Sequence, residues 1–143
     1  MKVKIRRANK DIPFPEYGTK DSAAFDIASN EDINIKPQQI VLIKTGLFIQ
    51  CPEGHFLAIF SRSSTPIKKG LSQPHGVGVL DPDYSGPTDE MLIMCQNFTD
   101  KDVEIKKGDR IAQGIFMKFD HVQWDETDEL SNTSRSGFGS TGK

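Results

Sequence analysis

A glycine-rich segment, SGFGSTGK at residues 136–143, fits the spacing G-x-x-x-x-G-K of loops that bind phosphate. Such a loop holds phosphate in its backbone N–H groups because it leaves a buried strand and opens a helix. Here the polar segment DETDELSNTSRS leads into it, and no Ser or Thr follows the final lysine. We therefore reject that interpretation. Two others stay open: a solvated tail, or a tail that closes over a nucleotide with Arg135, Phe138, Ser140 and Thr141.

A second candidate for ligand binding is GVGVLDPDYSGPTDEMLIM, residues 76–94. Its pattern predicts a hairpin, with a glycine-spaced strand, a turn and a second apolar strand. Gly76 and Gly78 remove side chains from one face of the first strand, so that a planar base could approach its backbone. Main-chain N–H and C=O groups there could select one base, because a mismatched edge leaves buried polar groups unpaired. The alternative is a strand that merely bends.

Candidate acidic and aromatic side chains lie within this segment, and candidate basic and hydroxyl side chains lie within FSRSSTP, residues 60–66. Asp81 directly follows the apolar strand and could simply stabilise its turn through side-chain hydrogen bonds to the backbone, while Tyr84 beside it could pack on a sugar. Arg62 suits bidentate recognition of phosphate, with the hydroxyls of Ser63 and Ser64 beside it. The alternative for FSRSSTP is a helix start with serine caps.

The elements that must position these residues are short β-strands. Runs such as FDIAS, INIKP and HFLAIFS are rich in Ile, Val and Phe and are separated by Pro, Gly, Asn and Asp. About eight to ten strands in one domain predict an all-β sandwich, jelly roll or barrel. The best helical candidate is the stretch 63–69, although it contains Pro66. We place the β domain at residues 1–124 and a flexible C-terminal arm at residues 125–143, where the composition becomes polar.

Composition narrows the range of partners. With 18 basic and 20 acidic residues, the net charge of -2 argues against a nucleic-acid-binding protein. We find no 18-residue apolar run and no apolar region after the basic N-terminus, so we expect neither a membrane span nor a secretory signal, and a cytoplasmic location. Cys51 and Cys95 are predicted to be buried thiols. The three histidines are expected to be structural or exposed.

Five segments together resemble the motifs of the trimeric dUTP diphosphatases, the dUTPases. In chain order they are AAFDIAS (residues 23–29), FSRSSTP, GVGVLDPDYSG, KGDRIAQGIF (residues 107–116) and SRSGFGSTGK. The resemblance covers nearly the whole chain. It implies a jelly-roll-like subunit, a homotrimer with active sites between subunits, and a mobile C-terminal arm that closes over a site. It also implies Mg²⁺ and the hydrolysis of dUTP to dUMP and pyrophosphate.

The resemblance implies a role for individual residues. Asp81 matches the carboxylate that activates the attacking water, Tyr84 the ring that rejects ribose, and Asp26 the carboxylate that reaches the metal through water. The expected substrate contacts are Arg62, Ser63, Ser64, Gly76, Gly78, Gln113, Arg135, Phe138, Gly139, Ser140 and Thr141. Two features depart from the common pattern: Arg135 stands three residues before Phe138 instead of five, and PTDE (residues 87–90) lengthens the turn.

The related dCTP deaminases are an alternative, because they share SRSS and the aspartate-containing segment. They need a glutamate on the following strand, where the two possible alignments give Met91 and Met94. Glu90 is one residue out from the first, and a one-residue slip turns a strand side chain to the opposite face. A non-catalytic module that has kept the nucleotide pocket is a further alternative, against which the presence of Asp81 argues.

Overall fold

The computed structural model describes residues 1–134, which form twelve short strands and one helix. The strands are β1 (Lys4–Arg7), β2 (Glu16–Tyr17), β3 (Phe25–Ala28), β4 (Ile33–Ile35), β5 (Ile40–Lys44), β6 (Leu47–Gln50), β7 (His55–Ser61), β8 (Leu71–Ser72), β9 (Gly78–Leu80), β10 (Leu92–Asn97), β11 (Val103–Ile105) and β12 (Arg110–Lys118). The helix α1 spans Ser64–Lys69. The prediction of an all-β, jelly-roll-like fold with one short helix after Arg62 is confirmed.

The number of strands exceeds the predicted eight to ten for two reasons. The continuous run QIVLIKTGLFIQ, residues 39–50, divides into two strands, β5 and β6, at Gly46, whose positive φ of 69° suits a residue without a side chain. In addition, β2 and β8 are only two residues long, too short for an alternating pattern to reveal.

The strands pair antiparallel in four sheets. The largest has the order β2-β3-β12-β7-β9, and a three-stranded sheet has the order β5-β10-β8. The pairs β1-β6 and β4-β11 complete the fold. Most hydrogen-bonded neighbours are distant in sequence, as crossing connections between packed sheets require.

The core consists mainly of isoleucine and leucine from the inner faces of these sheets. Its most buried side chains are Ile27, Ile35, Ile43, Leu57, Leu71, Met91, Ile93, Ile105 and Ile111. In β3 the burial alternates, so that Phe25 and Ile27 enter the core while Asp26 points to the other face. Because Phe25 and Ile27 are buried, the aspartate between them lies on the outer face of the sheet.

Both cysteines are buried free thiols, as predicted. Burial raises the pKa of Cys95 to about 11 and also raises the pKa of Cys51, because a thiolate would lose its hydration. Within residues 1–134, no helix has the length and apolar character needed to cross a membrane.

The predicted hairpin over residues 76–94 is wrong. Strand β9 pairs with β7 in the five-stranded sheet, whereas β10 lies between β5 and β8 in another sheet. The intervening residues 81–91 form an irregular connection between the two sheets. The first strand also begins later than predicted, at Gly78, since Gly76 lies before it in a turn with a φ of 76°.

Candidate active site

A cleft of about 640 Å³ lies at the open end of β3, β12 and β7, beside the start of α1. It is lined by Gly18, Ser22, Ala23, Ala24, Asp26, Phe60, Ser61, Arg62, Ser63, Ser64, Gln113 and Ile115. Five predicted site residues are among them, drawn from three separate motifs of the sequence. We call this cavity the Asp26 cleft.

Strand pairing explains why these motifs meet. Gln113 on β12 lies opposite Asp26 on β3 and, across its other edge, opposite Phe60 on β7. The amide nitrogen Nε2 of Gln113 donates to the Ser61 carbonyl oxygen at 3.0 Å, which holds the end of β7 beside β12. Arg62 directly follows β7, so its backbone starts from this fixed point.

Two arginines hold the Asp26 carboxylate. Nε of Arg62 lies 2.6 Å from Oδ1, and Nη1 of Arg110 lies 2.9 Å from Oδ2. The side chains of Asp26 and Arg62 are only 18% and 25% exposed, whereas Arg110 is 60% exposed. One carboxylate between two guanidinium groups leaves a formal net positive charge beside the cleft, which favours an anionic ligand.

Sequence reasoning did not single out Arg110, although it lies within the quoted segment KGDRIAQGIF. An irregularity in the β12–β3 register between Arg110 and Ala112 interrupts the regular pairing at this point. The pairing partner of Arg110 on β3 is Ala28, two residues beyond Asp26. The sequence does show a second arginine close to Gln113. Spacing alone, however, could not identify Asp26 as the residue that Arg110 pairs with.

Helix α1 places the two serines at the edge of the cleft. Ser63 is the N-cap residue, yet its side chain makes no capping hydrogen bond, so the alternative of serine caps does not account for its hydroxyl. The far end of the helix is tied to the turn just before β12: Lys69 donates to Asp109 at 2.7 Å, and this hydrogen bond lowers the pKa of Asp109. The Thr65 hydroxyl donates to the Ile111 carbonyl oxygen.

The other predicted site residues within residues 1–134 lie in strand β9 or within a few residues of it. We call this segment, with Gly76, Gly78, Asp81 and Tyr84, the β9 surface. None of them lines the Asp26 cleft in this chain. Asp81 is exposed immediately after β9, and Tyr84 is 41% exposed with its hydroxyl donating to the Glu90 carbonyl oxygen at 3.2 Å.

Among the strands that the structure describes, β9 has one hydrogen-bonded neighbour, β7, and is therefore an edge strand of its sheet. Gly78 packs closely against that neighbour, since an added Cβ would stand 3.2 Å from Cβ of Ile59. Val79 is 60% exposed on the opposite face. The outer edge of β9 thus offers backbone N–H and C=O groups to a ligand or another chain.

The other predicted contacts, Arg135, Phe138, Gly139, Ser140 and Thr141, lie outside the described residues. For a metal ion, residues 1–134 contain no group of three or more His, Cys, Asp or Glu side chains arranged to bind one. Of the carboxylates in this described part of the chain, only Asp26 lines the cleft. A divalent cation here would therefore need water and ligand oxygens around it, an arrangement that Mg²⁺ accepts readily.

We expect Asp26→Asn to lower the free energy of unfolding by about 1–3 kcal/mol, because the partly buried Arg62 loses its charged partner. Urea denaturation at neutral pH measures this loss. Asp102→Asn is the matched control, since Asp102 pairs with Lys36 on the exposed surface and its loss should matter much less. Equal losses in the two variants would contradict a structural role for the Asp26 cluster.

Comparison with known proteins gives the family. The dUTPase family model matches residues 10–142. The chain is 41% identical to the deoxyuridine 5'-triphosphate nucleotidohydrolase of Lactococcus lactis, over 99% of this chain and 96% of the relative. Among solved structures, it resembles the Streptococcus mutans dUTPase (32% identity, 84% of this chain, 98% of that chain, TM-score 0.76). It also resembles the Staphylococcus bacteriophage 80alpha dUTPase with dUPNHPP (25% identity, 99% of this chain, 98% of that chain, TM-score 0.86). This chain belongs to the dUTPase family.

Proposed function

We propose that this protein hydrolyses dUTP to dUMP and pyrophosphate. The observation that carries the proposal is a cationic, hydroxyl-bearing cleft, built from Asp26, Arg62, Ser63, Ser64 and Gln113, in a member of the dUTPase family. Such a reaction would limit the uracil available for incorporation into DNA and would supply dUMP for thymidylate synthesis. The cytoplasmic location stays a prediction.

Binding of the triphosphate is assigned to the Asp26 cleft. Arg62 offers a planar guanidinium, Ser63 and Ser64 offer hydroxyl donors, and Gln113 offers a side-chain amide. Arg110 adds a second guanidinium at the same carboxylate. Positioned cations and N–H donors stabilise the charge that develops on phosphate oxygens during transfer, which supplies most of the catalysis in such reactions.

Asp81 is assigned the proton transfer. Its exposed carboxylate accepts a proton from a water molecule as the water oxygen attacks the α-phosphorus. The bond from the α-phosphorus to the oxygen that bridges to the β-phosphate breaks, and pyrophosphate leaves with that oxygen. Base and sugar are assigned to the β9 surface, where the backbone edge at Gly76 and Gly78 pairs with uracil and the Tyr84 ring packs on deoxyribose.

A homotrimer with active sites between subunits accounts for the separation of the two surfaces. Asp81 is not among the residues that line the Asp26 cleft of the same chain, so a second copy would supply the missing surface. The arm, residues 125–143, would add Arg135, Phe138, Gly139, Ser140 and Thr141. We keep the domain boundary at Trp124 as part of this proposal.

Mg²⁺ fits the donors of the cleft as a cation held mainly by the substrate. Asp26 would contact it through water, because both carboxylate oxygens already accept from arginine. When bound, the ion supplies charge neutralisation for the phosphates. Arg62 and the serine hydroxyls would orient the phosphate oxygens, independently of the ion.

Deamination of dCTP is less compatible with this site. Its required glutamate has only one nearby candidate, Glu90, whose Oε1 accepts from the Gly46 backbone N–H at 2.7 Å. The carboxylate is therefore engaged in a structural hydrogen bond. A non-catalytic binding module would bind dUTP and release no product.

We expect the purified protein, supplied with Mg²⁺, to release pyrophosphate from dUTP and to leave dCTP unchanged. Asp81→Asn should abolish this release while preserving the binding of a non-hydrolysable dUTP analogue, because the amide keeps the shape but cannot take the proton. Chromatography of the products and a binding titration measure both effects. Wild-type turnover in Asp81→Asn would show that another group activates the water.

Mixing two inactive variants tests whether sites are shared. Asp81→Asn and Arg62→Met subunits, unfolded and refolded together in equal amounts, should recover about a quarter of the wild-type activity, because random assembly leaves both residues intact in that share of sites. Each variant refolded alone is the control. Failure of the mixture to exceed the controls, with assembly confirmed by light scattering, would contradict sites built from two chains.

Deletion of residues 135–143 separates the two interpretations of the tail. We expect hydrolysis to slow by at least about a hundredfold, since a base–aromatic stack is typically about 1–3 kcal/mol and the hydroxyl donors are lost with it. The shortened chain should still fold and bind dUTP weakly, because the Asp26 cleft and the β9 surface are complete without the tail. Unchanged kinetics would identify a solvated end.

A further inference from the structure

The connection between β9 and β10 carries Tyr84 and has no strand pairing of its own. Short bonds close it locally: the Gly86 backbone N–H donates to Oδ2 of Asp89 at 2.7 Å, and the Tyr84 N–H donates to the Asp81 carbonyl oxygen at 3.2 Å. These bonds give the loop a shape but do not fix it to the domain. Its position must come from contacts with other elements.

Met91 fixes the end of the loop, because its side chain is buried, its N–H donates to the Leu47 carbonyl oxygen and its carbonyl oxygen accepts from the Thr45 hydroxyl. Closer to Tyr84, Glu90 provides a first contact. Its carbonyl oxygen accepts from the Tyr84 hydroxyl, while its Oε1 accepts from the Gly46 backbone N–H at 2.7 Å. Gly46 is itself fixed, because its carbonyl oxygen accepts from Ala8 and an added Cβ would overlap Ile12. A carboxylate that accepts from a backbone N–H makes one of the stronger hydrogen bonds in proteins. Glu90 therefore links the Tyr84 ring to a rigid turn of the domain.

Arg6 provides the second contact, from strand β1. Its guanidinium lies 3.5 Å from the centre of the Phe48 ring, the residue opposite it in the β1–β6 pair. From there Nη2 donates to the Pro87 carbonyl oxygen at 2.6 Å. Stacking on the ring restricts the side chain, so the hydrogen bond holds the loop at a defined distance from the sheet.

Both contacts involve PTDE, the segment that lengthens the turn. We propose that Glu90 and Arg6 are positioning residues that place the Tyr84 ring and thereby set the preference for deoxyribose over ribose. This inference rests on the role given to Tyr84 under the proposed function. Rejection of one extra hydroxyl depends on a small gap between ring and sugar, so a loop that shifts by a fraction of an ångström admits the hydroxyl.

The test compares kcat/KM for dUTP and UTP in Glu90→Ala and Arg6→Met. We expect each variant to raise the UTP to dUTP ratio by about three- to tenfold, the effect of one net hydrogen bond. Glu90→Gln keeps an acceptor oxygen and should stay near the wild-type ratio. Tyr84→Ala should raise the ratio further, and adding Glu90→Ala to it should raise the ratio no more, because both changes act through the same ring.

Arg7→Met is the matched control for general damage to β1. Arg7 also stacks on an aromatic ring, that of Phe14, and donates to two backbone carbonyl oxygens, but both belong to residues 10–12 and not to the loop. We expect it to lower the melting temperature about as much as Arg6→Met while leaving the ratio unchanged.

The outcomes distinguish failure of this inference from failure of the proposed function. An unchanged ratio in Tyr84→Ala would remove the role of Tyr84 and, with it, this inference. A raised ratio in Tyr84→Ala with unchanged ratios in both Glu90→Ala and Arg6→Met would overturn the inference and keep the proposed function. Equal shifts in Arg7→Met and Arg6→Met would assign the effect to loss of stability and would also overturn it.

Discussion

The two-sided pairing of β12 is the constraint on which the Asp26 cleft depends. This strand bonds to β3 on one edge and to β7 on the other, and Gln113 stands in register with both. Because side chains alternate along a strand, a slip of one residue would turn Gln113 toward the core and Ala112 toward the cleft. The buried Ala112 and Gly114 share the face opposite Gln113, and a side chain at Gly114 would overlap Phe25, so core packing opposes such a slip and fixes the position of the polar residues.

Local sequence patterns were sufficient to predict a secondary-structure element wherever buried and exposed side chains alternate within it. The segment FDIA shows the alternation of inner and outer side chains in four residues, and the helical stretch predicted at residues 63–69 corresponds to α1, Ser64–Lys69. The pairing partner of each strand could not be predicted in this way, because strands far apart in sequence compete to pair with one another. Strands β9 and β10 are neighbours along the chain, but β10 finds β5 and β8, so the apparent hairpin is a crossing between sheets.

The same limit applied within the site. Spacing and resemblance indicated Asp26, Arg62 and Gln113, and the cleft brings them together. Arg110 escaped notice because its contact with Asp26 spans 84 residues and lies beside an irregularity in register, which no single-sequence period describes. The separation of Asp81 from the cleft was likewise invisible, since a list of motifs carries no information on which of them share a surface.

The charge arrangement in the cleft explains how it can be stable before a ligand arrives and still bind an anion. A partly buried Arg62 without a counter-charge would be costly, and Asp26 removes that cost. A single carboxylate cannot fully satisfy two guanidinium groups, so part of their hydrogen-bonding capacity remains for another anion. If that anion is the triphosphate, as proposed, Asp26 already holds Arg62 at the cleft wall, so little side-chain entropy would be lost on binding, and the carboxylate would serve the ligand by orienting the cations that contact it.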